Sequence, residues 1–428
     1  MCGEFLFQQS VTQVPGPDRT LTGENVCQAQ WMTMYPTLHL KAGHNRSVLA
    51  RHPWIFSGAL ERVPEDVPHG ALVHVIDTDA AIAATGTLSR KSMIAVRVFA
   101  FEEAAIDSGW LHQQIREADE RRRLLGFGPG TETTGYRVVF GESDHLPGLV
   151  VDRYADVLVV QISTAGMELL RDQVVECLVD VFHPSGIYER SDHSARNDEG
   201  LRPVTGLLSG QVAERIEFLE CGRKCLADIV SGQKTGFYLD QRDLRMQVFK
   251  LAHGRKTLDL FSYSGATGVA AMRGGATGVH FVDSSETALH LCAEYAQLNG
   301  IDSARVTHDC VDVFQWLGHR STPEYDLVLL DPPALIKNRR HTTEGRKAYH
   351  FLNRAALRLI TDGGILVTSS CSAYFTEDDL FVTLRRAAEQ ADVDLHVLGM
   401  LRQSPDHPIS LTFPESLYLK SVICQIRR

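Results

Sequence analysis

Asp259-Leu260-Phe261-Ser262-Tyr263-Ser264-Gly265-Ala266-Thr267-Gly268 is the stretch on which the architecture of this chain turns. A short apolar strand, residues 257–261, runs into a Ser/Gly turn. A glycine at the carboxyl end of a first strand lets a ligand approach the backbone closely. The spacing is not the dinucleotide pattern G-x-G-x-x-G. Further strand candidates follow at 278–283, 304–307, 325–330, 364–369, 393–398 and 417–424, with helical stretches between them. One helix, 286–299, puts Ala288, Leu291, Cys292 and Tyr295 on a single face, with Ser284 or Ser285 as N-cap and Gly300 just past its end. Strands alternating with helices predict an α/β fold with a mostly parallel, doubly wound, Rossmann-like sheet.

Acids follow four consecutive strands of that sheet. Asp283 ends the second strand, where a carboxylate is placed to bind ribose hydroxyls. Asp312, in Asp309-Cys310-Val311-Asp312-Val313-Phe314, follows the third and is placed to hold an adenine amino group. Asp331-Pro332-Pro333 ends the fourth. Carboxylates along one edge suit a nucleoside with a cationic centre, so S-adenosylmethionine is expected rather than NAD, whose pyrophosphate they would repel. Strand-ending Asp residues are also ordinary helix caps, so any one of them can be structural.

Each Pro of Asp331-Pro332-Pro333 locks φ, which makes a rigid turn able to hold a flat base. In amino-group methyltransferases an aromatic residue usually follows such a turn; here Ala334 and Leu335 follow. After the fifth strand comes Thr368-Ser369-Ser370-Cys371-Ser372. Cys371 is placed as a nucleophile, which methylation at C5 of a pyrimidine requires, because that carbon is unreactive until a thiolate adds at C6. Nearby hydroxyls and backbone N–H groups can lower a thiol pKa. A small buried hydrophobe, the usual fate of Cys, is the open alternative.

The chain has 428 residues with 44% hydrophobic and 22% charged, which excludes fibrous, disulfide-miniprotein and wholly disordered classes and suggests two or three domains. Net charge is −10, on its face unfavourable to a nucleic-acid partner. The distribution says otherwise. Residues 334–358 carry seven Lys/Arg against one Glu, with His341, Tyr349, His350 and Phe351 interleaved, and 222–256 carry eight Lys/Arg against three Asp. Two basic runs beside the inferred site favour phosphate contact.

The nine Cys are scattered and odd in number, a pattern of reduced cytoplasmic thiols. Cys221 and Cys225 have no second Cys or His pair at zinc spacing, so no metal is expected. No run of 18 apolar residues and no signal-peptide pattern is present, so no membrane association is expected.

Upstream, residues 1–34 read as an appendage without apolar periodicity, expected to be disordered. Residues 35–115 form a β-rich unit with strands at 72–76 and 94–99. Helical spacing over 111–125 leaves Arg121-Arg122-Arg123 reading as exposed. Residues 116–220 form a small α/β domain with strands at 136–140, 157–162 and from 186, and a helix over 167–182. Residues 221–428 are the catalytic α/β domain. Lys41, Arg46 and Arg51 lie near Trp54 and Phe56, which makes a positive strip with aromatics, although burial habit favours Trp54 and Phe56 as core.

Residues 38–428 resemble the bacterial large-subunit ribosomal RNA methyltransferase I family, which makes 5-methylcytosine. The likeness is carried by His52-Pro53-Trp54-Ile55-Phe56-Ser57-Gly58, Gly148-Leu149-Val150-Val151-Asp152-Arg153-Tyr154, Ile187-Tyr188-Glu189-Arg190-Ser191-Asp192, Lys234-Thr235-Gly236-Phe237-Tyr238-Leu239-Asp240-Gln241-Arg242, Asp259-Leu260-Phe261-Ser262-Tyr263, Asp331-Pro332-Pro333 and Ser370-Cys371-Ser372. It implies an RNA-binding PUA-like domain, a central α/β domain and a class I S-adenosylmethionine-dependent methyltransferase domain. It also implies that Cys371 is the nucleophile. The wider group of cytosine-C5 RNA methyltransferases has a second Cys after a Pro in the fourth motif. Pro332-Pro333 occupy that place here, which leaves Asp331 to assist product release. The resemblance makes Lys234–Arg242 a lid over the methionine end of the cofactor, to which Phe237 and Arg242 contribute. Leu335 stands where the family often has Phe.

The expectation is a cytoplasmic enzyme that methylates C5 of a cytosine in ribosomal RNA. Asp259, Phe261, Tyr263, Ser264, Gly265, Asp283, Ser284, Asp312, Asp331, Lys234, Phe237 and Arg242 are expected to hold the cofactor, and Cys371 and Asp331 to carry the chemistry. Lys41, Arg46, Arg51, Lys337, Arg339, Arg340, Arg346 and Lys347 are expected to contact RNA. A homodimer is left open. The rival readings are methylation of an exocyclic amine of guanine or adenine, and a non-catalytic RNA-binding assembly factor.

Overall fold

Among the described residues the apolar runs of the sequence pair into three sheets and a hairpin. The computed structural model describes residues 35–79, 81–336 and 338–428. The reading of residues 1–34 as disordered lies outside them. Residues 36–428 form one compact unit.

The amino-terminal sheet has strands Thr37–His39, Leu72–Ile76, Ile82–Leu88, Ile94–Ala100 and Trp54–Phe56 in that spatial order. Its core includes Ile55, Val73, Val75 and Val96, none of which is exposed. Phe56 is 46% exposed and so is not core. Trp54 is half-buried; its indole N–H donates to Glu142 at 2.7 Å, and its ring meets Phe413 edge-on at 4.8 Å.

The helix after this sheet spans Ser108–Leu124, and Asp107 caps it by accepting from Trp110 N. Its Leu111, Ile115 and Ala118 pack into the core of the central domain, so a division at residue 115 would cut the helix in two. The whole helix belongs with the second sheet, Val204–Gly210, Gly186–Ser191, Val157–Ile162, Leu149–Tyr154 and Gly135–Phe140. Arg122 is 1% exposed, against the reading of three exposed arginines. Its guanidinium meets both oxygens of Asp144 at 2.7 Å and donates to the carbonyl of Arg137, which is what a buried fork of five donors requires. The helix expected over 167–182 is two helices, Ala165–Leu169 and Arg171–Phe182, broken at Leu170.

The third sheet positions the site. Its strands in chain order are Lys256–Leu260, Gly278–Asp283, Val306–Cys310, Tyr325–Leu330, Ile360–Ser370, Asp394–Leu401 and Lys420–Arg427. Their spatial order is third, second, first, fourth, fifth, seventh, sixth. The first five are parallel and the seventh runs antiparallel between the fifth and sixth. Leu327 and Leu329 face one apolar cluster and Val328 and Leu330 the other, so helices must cover both faces. The third strand begins later than its apolar letters suggest, because Asp302 caps a one-turn helix over Ser303–Arg305. The hairpin Arg215–Glu220/Arg223–Asp228 puts Phe218, Cys225 and Ala227 into the apolar cluster on one face of this sheet, so residue 220 is the middle of a hairpin rather than a domain edge.

Candidate active site

The crevice lies where the strand order reverses, at the carboxyl ends of the first and fourth strands. Such switch points are where open α/β sheets bind ligands. The loop leaving the first strand bends sharply: Phe261 has φ +58°, Tyr263 +45° and Gly265 +72°. A side chain at Gly265 would put Cβ 2.8 Å from Cys292 Sγ, so this turn needs glycine for space as well as for φ. Two neighbouring non-glycine residues in the left-handed region cost about 1–3 kcal/mol each and persist only where the surroundings over-determine them. Those surroundings are visible. Phe261 N donates to the Val282 carbonyl at 3.0 Å, Tyr263 N to Asp283 Oδ2 at 3.0 Å and Gly265 N to the Ser262 carbonyl at 2.8 Å. Asp283 Oδ1 accepts from Ser285 N at 2.9 Å. Asp259 accepts from Gly268 N at 2.8 Å. Burial pushes its carboxyl far above the ordinary value, and the charges of Asp331 and Asp283 push the same way.

The opposite wall is built from the Lys234–Arg242 segment and the ends of the fourth, fifth and seventh strands. Lys234 is a third left-handed non-glycine residue, at φ +52°. Its ammonium sits 4.0 Å over the Tyr238 ring and donates to Asp240 Oδ2 at 2.8 Å. Tyr418 OH donates to the same oxygen at 2.6 Å. Burial opposes the charge on Asp240, yet Lys234 and His407 hold it well below the usual carboxylate range. Gln241 Nε2 donates to Asp331 Oδ2 at 2.6 Å. Burial, with Asp240 nearby, raises Asp331 to about 6 despite that bond. Cys371 opens onto the cavity; the protein packed around it and the Asp331 charge push its thiol up.

The two loops that carry Asp331 and Cys371 are tied together. Ser372 Oγ accepts from Ile336 N at 3.1 Å and pairs with Tyr349 OH at 2.9 Å. Ser370 Oγ donates to Tyr349 OH at 2.8 Å, and Tyr349 stacks on Phe375 at 4.3 Å. Lys420 donates to the carbonyls of Ser372 and Phe375 at 2.8 and 2.7 Å.

Between these walls is a cavity of about 460 Å³, within the usual size of a small-molecule site. Of the residues expected to hold cofactor, Asp259, Phe261, Tyr263 and Ser264 line it from one loop. Asp283, Ser284, Asp331 and Lys234 line it from others, and Cys371 lines it beside Asp331. Gly265 shapes the loop from beneath.

Three residues lie elsewhere. Asp312 is exposed and caps the helix Val313–Gly318, accepting from Gln315 N at 2.9 Å. Phe237 is 1% exposed, edge-on to Phe218 at 5.1 Å and under the Arg245 guanidinium. Arg242 is equally buried, donating to Asp406 Oδ2 and to the Gly135 carbonyl, both at 2.9 Å. Both face inward because the Lys234–Arg242 segment alternates between wall and core. The residues of it that reach the cavity are Lys234, Tyr238, Asp240 and Gln241. Tyr238, Asp240, Gln241, Arg245 and Tyr418 went unselected from the sequence. The polar pair Asp240-Gln241 directly after Phe237-Tyr238-Leu239 is the available signal; Tyr418 has none.

The basic runs divide as well. Lys41, Arg46, Arg51, Arg339, Arg340, Arg346 and Lys347 are exposed. Lys41 donates to the Gly58 carbonyl, Arg346 pairs with Asp379 and Lys347 with Glu344. Lys337 lies outside the described residues. In 222–256 the charges of Arg242 and Arg245 are spent internally, on Asp406 and Glu220, so that segment offers less to phosphate than its formal count.

Residues 190–414 match the S-adenosylmethionine-dependent methyltransferase family and residues 38–101 the PUA-like domain. A methyltransferase structure from Streptococcus mutans superposes with a TM-score of 0.77 at 22% identity, covering 91% of this chain and 100% of that one. A second methyltransferase structure, complexed with SAH, gives 0.78 at 22% identity over the same shares. These two likenesses speak to the fold. The cavity suits S-adenosylmethionine by its own chemistry: buried carboxylates for a cation, aromatic faces at Phe261 and Tyr263 for a base, and room for both. Ribosomal RNA large subunit methyltransferase I of Aeromonas salmonicida is 38% identical over 394 residues, 91% of this chain and 99% of that protein. The protein of the same name from Yersinia pseudotuberculosis is 37% identical over 393 residues, again 91% and 99%. With likeness at that level along nearly the whole of both chains, the protein belongs to the ribosomal RNA large subunit methyltransferase I family of S-adenosylmethionine-dependent methyltransferases.

Proposed function

We propose that the protein methylates C5 of a cytosine in large-subunit ribosomal RNA, through a covalent bond from Cys371 to C6 of the base. The observation that carries this reading is the placement of Cys371 beside Asp331 on one wall of the cavity, facing the strained 261–265 loop. S-adenosylmethionine supplies an electrophilic methyl group and a positive charge. Asp259, Asp283, Phe261 and Tyr263 are the residues that would hold it, and a cation between them would lower the raised pKa of Asp259.

The thiol of Cys371 loses its proton to solvent and its sulfur adds at C6. The electron pair so released makes C5 nucleophilic, and C5 takes the methyl group as the methyl–sulfonium bond would break, its electron pair returning to sulfur and S-adenosylhomocysteine leaving as the neutral thioether. Asp331, raised to about 6, is a stronger base than an ordinary carboxylate and is ionised at neutral pH. It takes the proton from C5; the C5–C6 double bond re-forms and expels the thiolate. The target base must leave its stack to reach the cavity. The exposed Lys41, Arg46, Arg51, Arg339 and Arg340 are the proposed phosphate contacts, which position rather than specify. On this reading the protein works in the cytoplasm, in keeping with seven unpaired cysteines among the described residues. No helix among those residues is long and apolar enough to cross a membrane.

The test is methylation of naked ribosomal RNA and trapping on RNA containing 5-fluorocytosine. The wild type forms a stable protein–RNA adduct and Cys371→Ala forms none and makes no 5-methylcytosine. Methylation by Cys371→Ala at the wild-type rate, or a methyl group recovered on an exocyclic amine, rejects the covalent C5 reading.

A further inference from the structure

The chemistry proposed above gives Asp240 no part. Asp240 is 3% exposed and lines the cavity. Its two oxygens are treated unequally. Oδ2 accepts from Lys234 Nζ and from Tyr418 OH, at 2.8 and 2.6 Å. Oδ1 is buried and has no hydrogen-bond partner among the described residues. A buried carboxylate oxygen without a donor is unfavourable and calls for a reason.

Its neighbours place it within the cavity wall. Asp240 lies in the one-turn helix Leu239–Gln241, and the adjacent Gln241 bonds Asp331. Tyr418 precedes the seventh strand, whose Lys420 is paired with Ser370, next to Cys371. Asp240 therefore stands on the side of the cavity where Asp331 and Cys371 act. Its charge is felt by Asp331, Tyr238 and Cys371.

We infer that Asp240 Oδ1 accepts a hydrogen bond from the exocyclic amine at C4 of the target base, and so admits cytosine and turns away uracil. This rests on the cytosine reading above. Cytosine presents an N–H donor at C4 where uracil presents a carbonyl oxygen. An ionised carboxylate only accepts. Lys234 and Tyr418 keep it ionised and fix its rotation through the other oxygen, so Oδ1 cannot turn away from a mismatched base. Uracil would set oxygen against oxygen and leave Oδ1 unsatisfied, and sites built to pair with a substrate N–H reject analogues that lack it.

The test uses RNA fragments that carry the mapped target as cytidine, uridine or 2-pyrimidinone riboside, which has hydrogen at C4. Wild type is expected to favour cytidine over 2-pyrimidinone by about 10- to 100-fold in kcat/KM, the size of one base-edge contact. Asp240→Asn should bring that ratio to within about 3-fold of the intrinsic reactivity ratio and make uridine methylation measurable. Tyr418→Phe, which keeps the carboxylate but removes one tether, should fall between. A cytidine-to-pyrimidinone ratio unchanged in Asp240→Asn while both rates drop together overturns the inference. If Asp240→Asn does not fold, a wild-type ratio near unity or an unchanged ratio in Tyr418→Phe overturns it equally. Absence of 5-methylcytosine from the wild-type product is a different result: it removes the cytosine reading itself, and this inference with it.

Discussion

The side-chain amide of Gln241 donates to Asp331 Oδ2 at 2.6 Å and so joins the one-turn helix Leu239–Gln241 to the end of the fourth strand. Burial raises the Asp331 carboxyl to about 6 and this bond draws it down. The proposed step needs Asp331 ionised, so activity should fall as pH drops through about 6. Gln241→Leu removes the bond and pushes that limb to higher pH. kcat/KM followed from pH 5 to 9 at saturating cofactor checks this, and an acid limb that stays in place would remove Asp331 from the pH profile.

Asp331→Asn should separate stability from activity. The folded pKa lies above the ordinary 3.8, so the folded state takes up a proton that the unfolded state does not between 3.8 and about 6. The contribution to stability is present below 3.8 and is lost as pH rises through about 6. At pH 8 the half-buried carboxylate therefore destabilises the fold, and its neutral isostere should gain about 1–2 kcal/mol there. At pH 4 the gain should vanish. Denaturant melts at the two pH values measure it, and methylation should be lost at both.

Phe237→Ala distinguishes a core residue from a lid. Phe237 packs on Phe218 and Tyr295 and lies under Arg245. Truncation should cost about 3–5 kcal/mol. The dissociation constant for S-adenosylmethionine, measured by calorimetry on the fraction that remains folded, should change less than threefold, by about 0.6 kcal/mol or less.

Asp406 joins the loop after the sixth strand to the central domain. It accepts from Arg137 N and Arg242 Nη2, both at 2.9 Å, and its carbonyl accepts from Arg122. Burial opposes its charge, but Arg242 and His407 hold it well below the carboxylate range. Its stabilising part is present above the ordinary pKa and disappears as pH falls through the depressed one. Asp406→Ala removes the nearer carboxylate of Arg242 and leaves it the Gly135 carbonyl and the more distant Glu220, and should cost about 3–5 kcal/mol in urea unfolding at pH 7.

The sequence by itself determined the doubly wound sheet. Runs such as Gly278–Asp283 and Tyr325–Leu330 are apolar at every register position that either face buries, and their bounds are met in the structure residue for residue. It also determined the acids at the strand ends and the cysteine after the fifth strand, because strand direction alone delivers them to one edge. Only the tertiary structure decided which members of a motif face the ligand. In Lys234–Arg242 nothing local tells Phe237 and Arg242, which turn into the core, from Tyr238 and Asp240, which turn to the cavity. That choice depends on Asp406 and Tyr418, more than 160 residues away in the chain, which supply a buried carboxylate for one arginine and a hydroxyl for one aspartate. Asp312 shows the same limit in reverse: its place after a strand reads as a ligand, and a free N–H at Gln315 claims it as a cap.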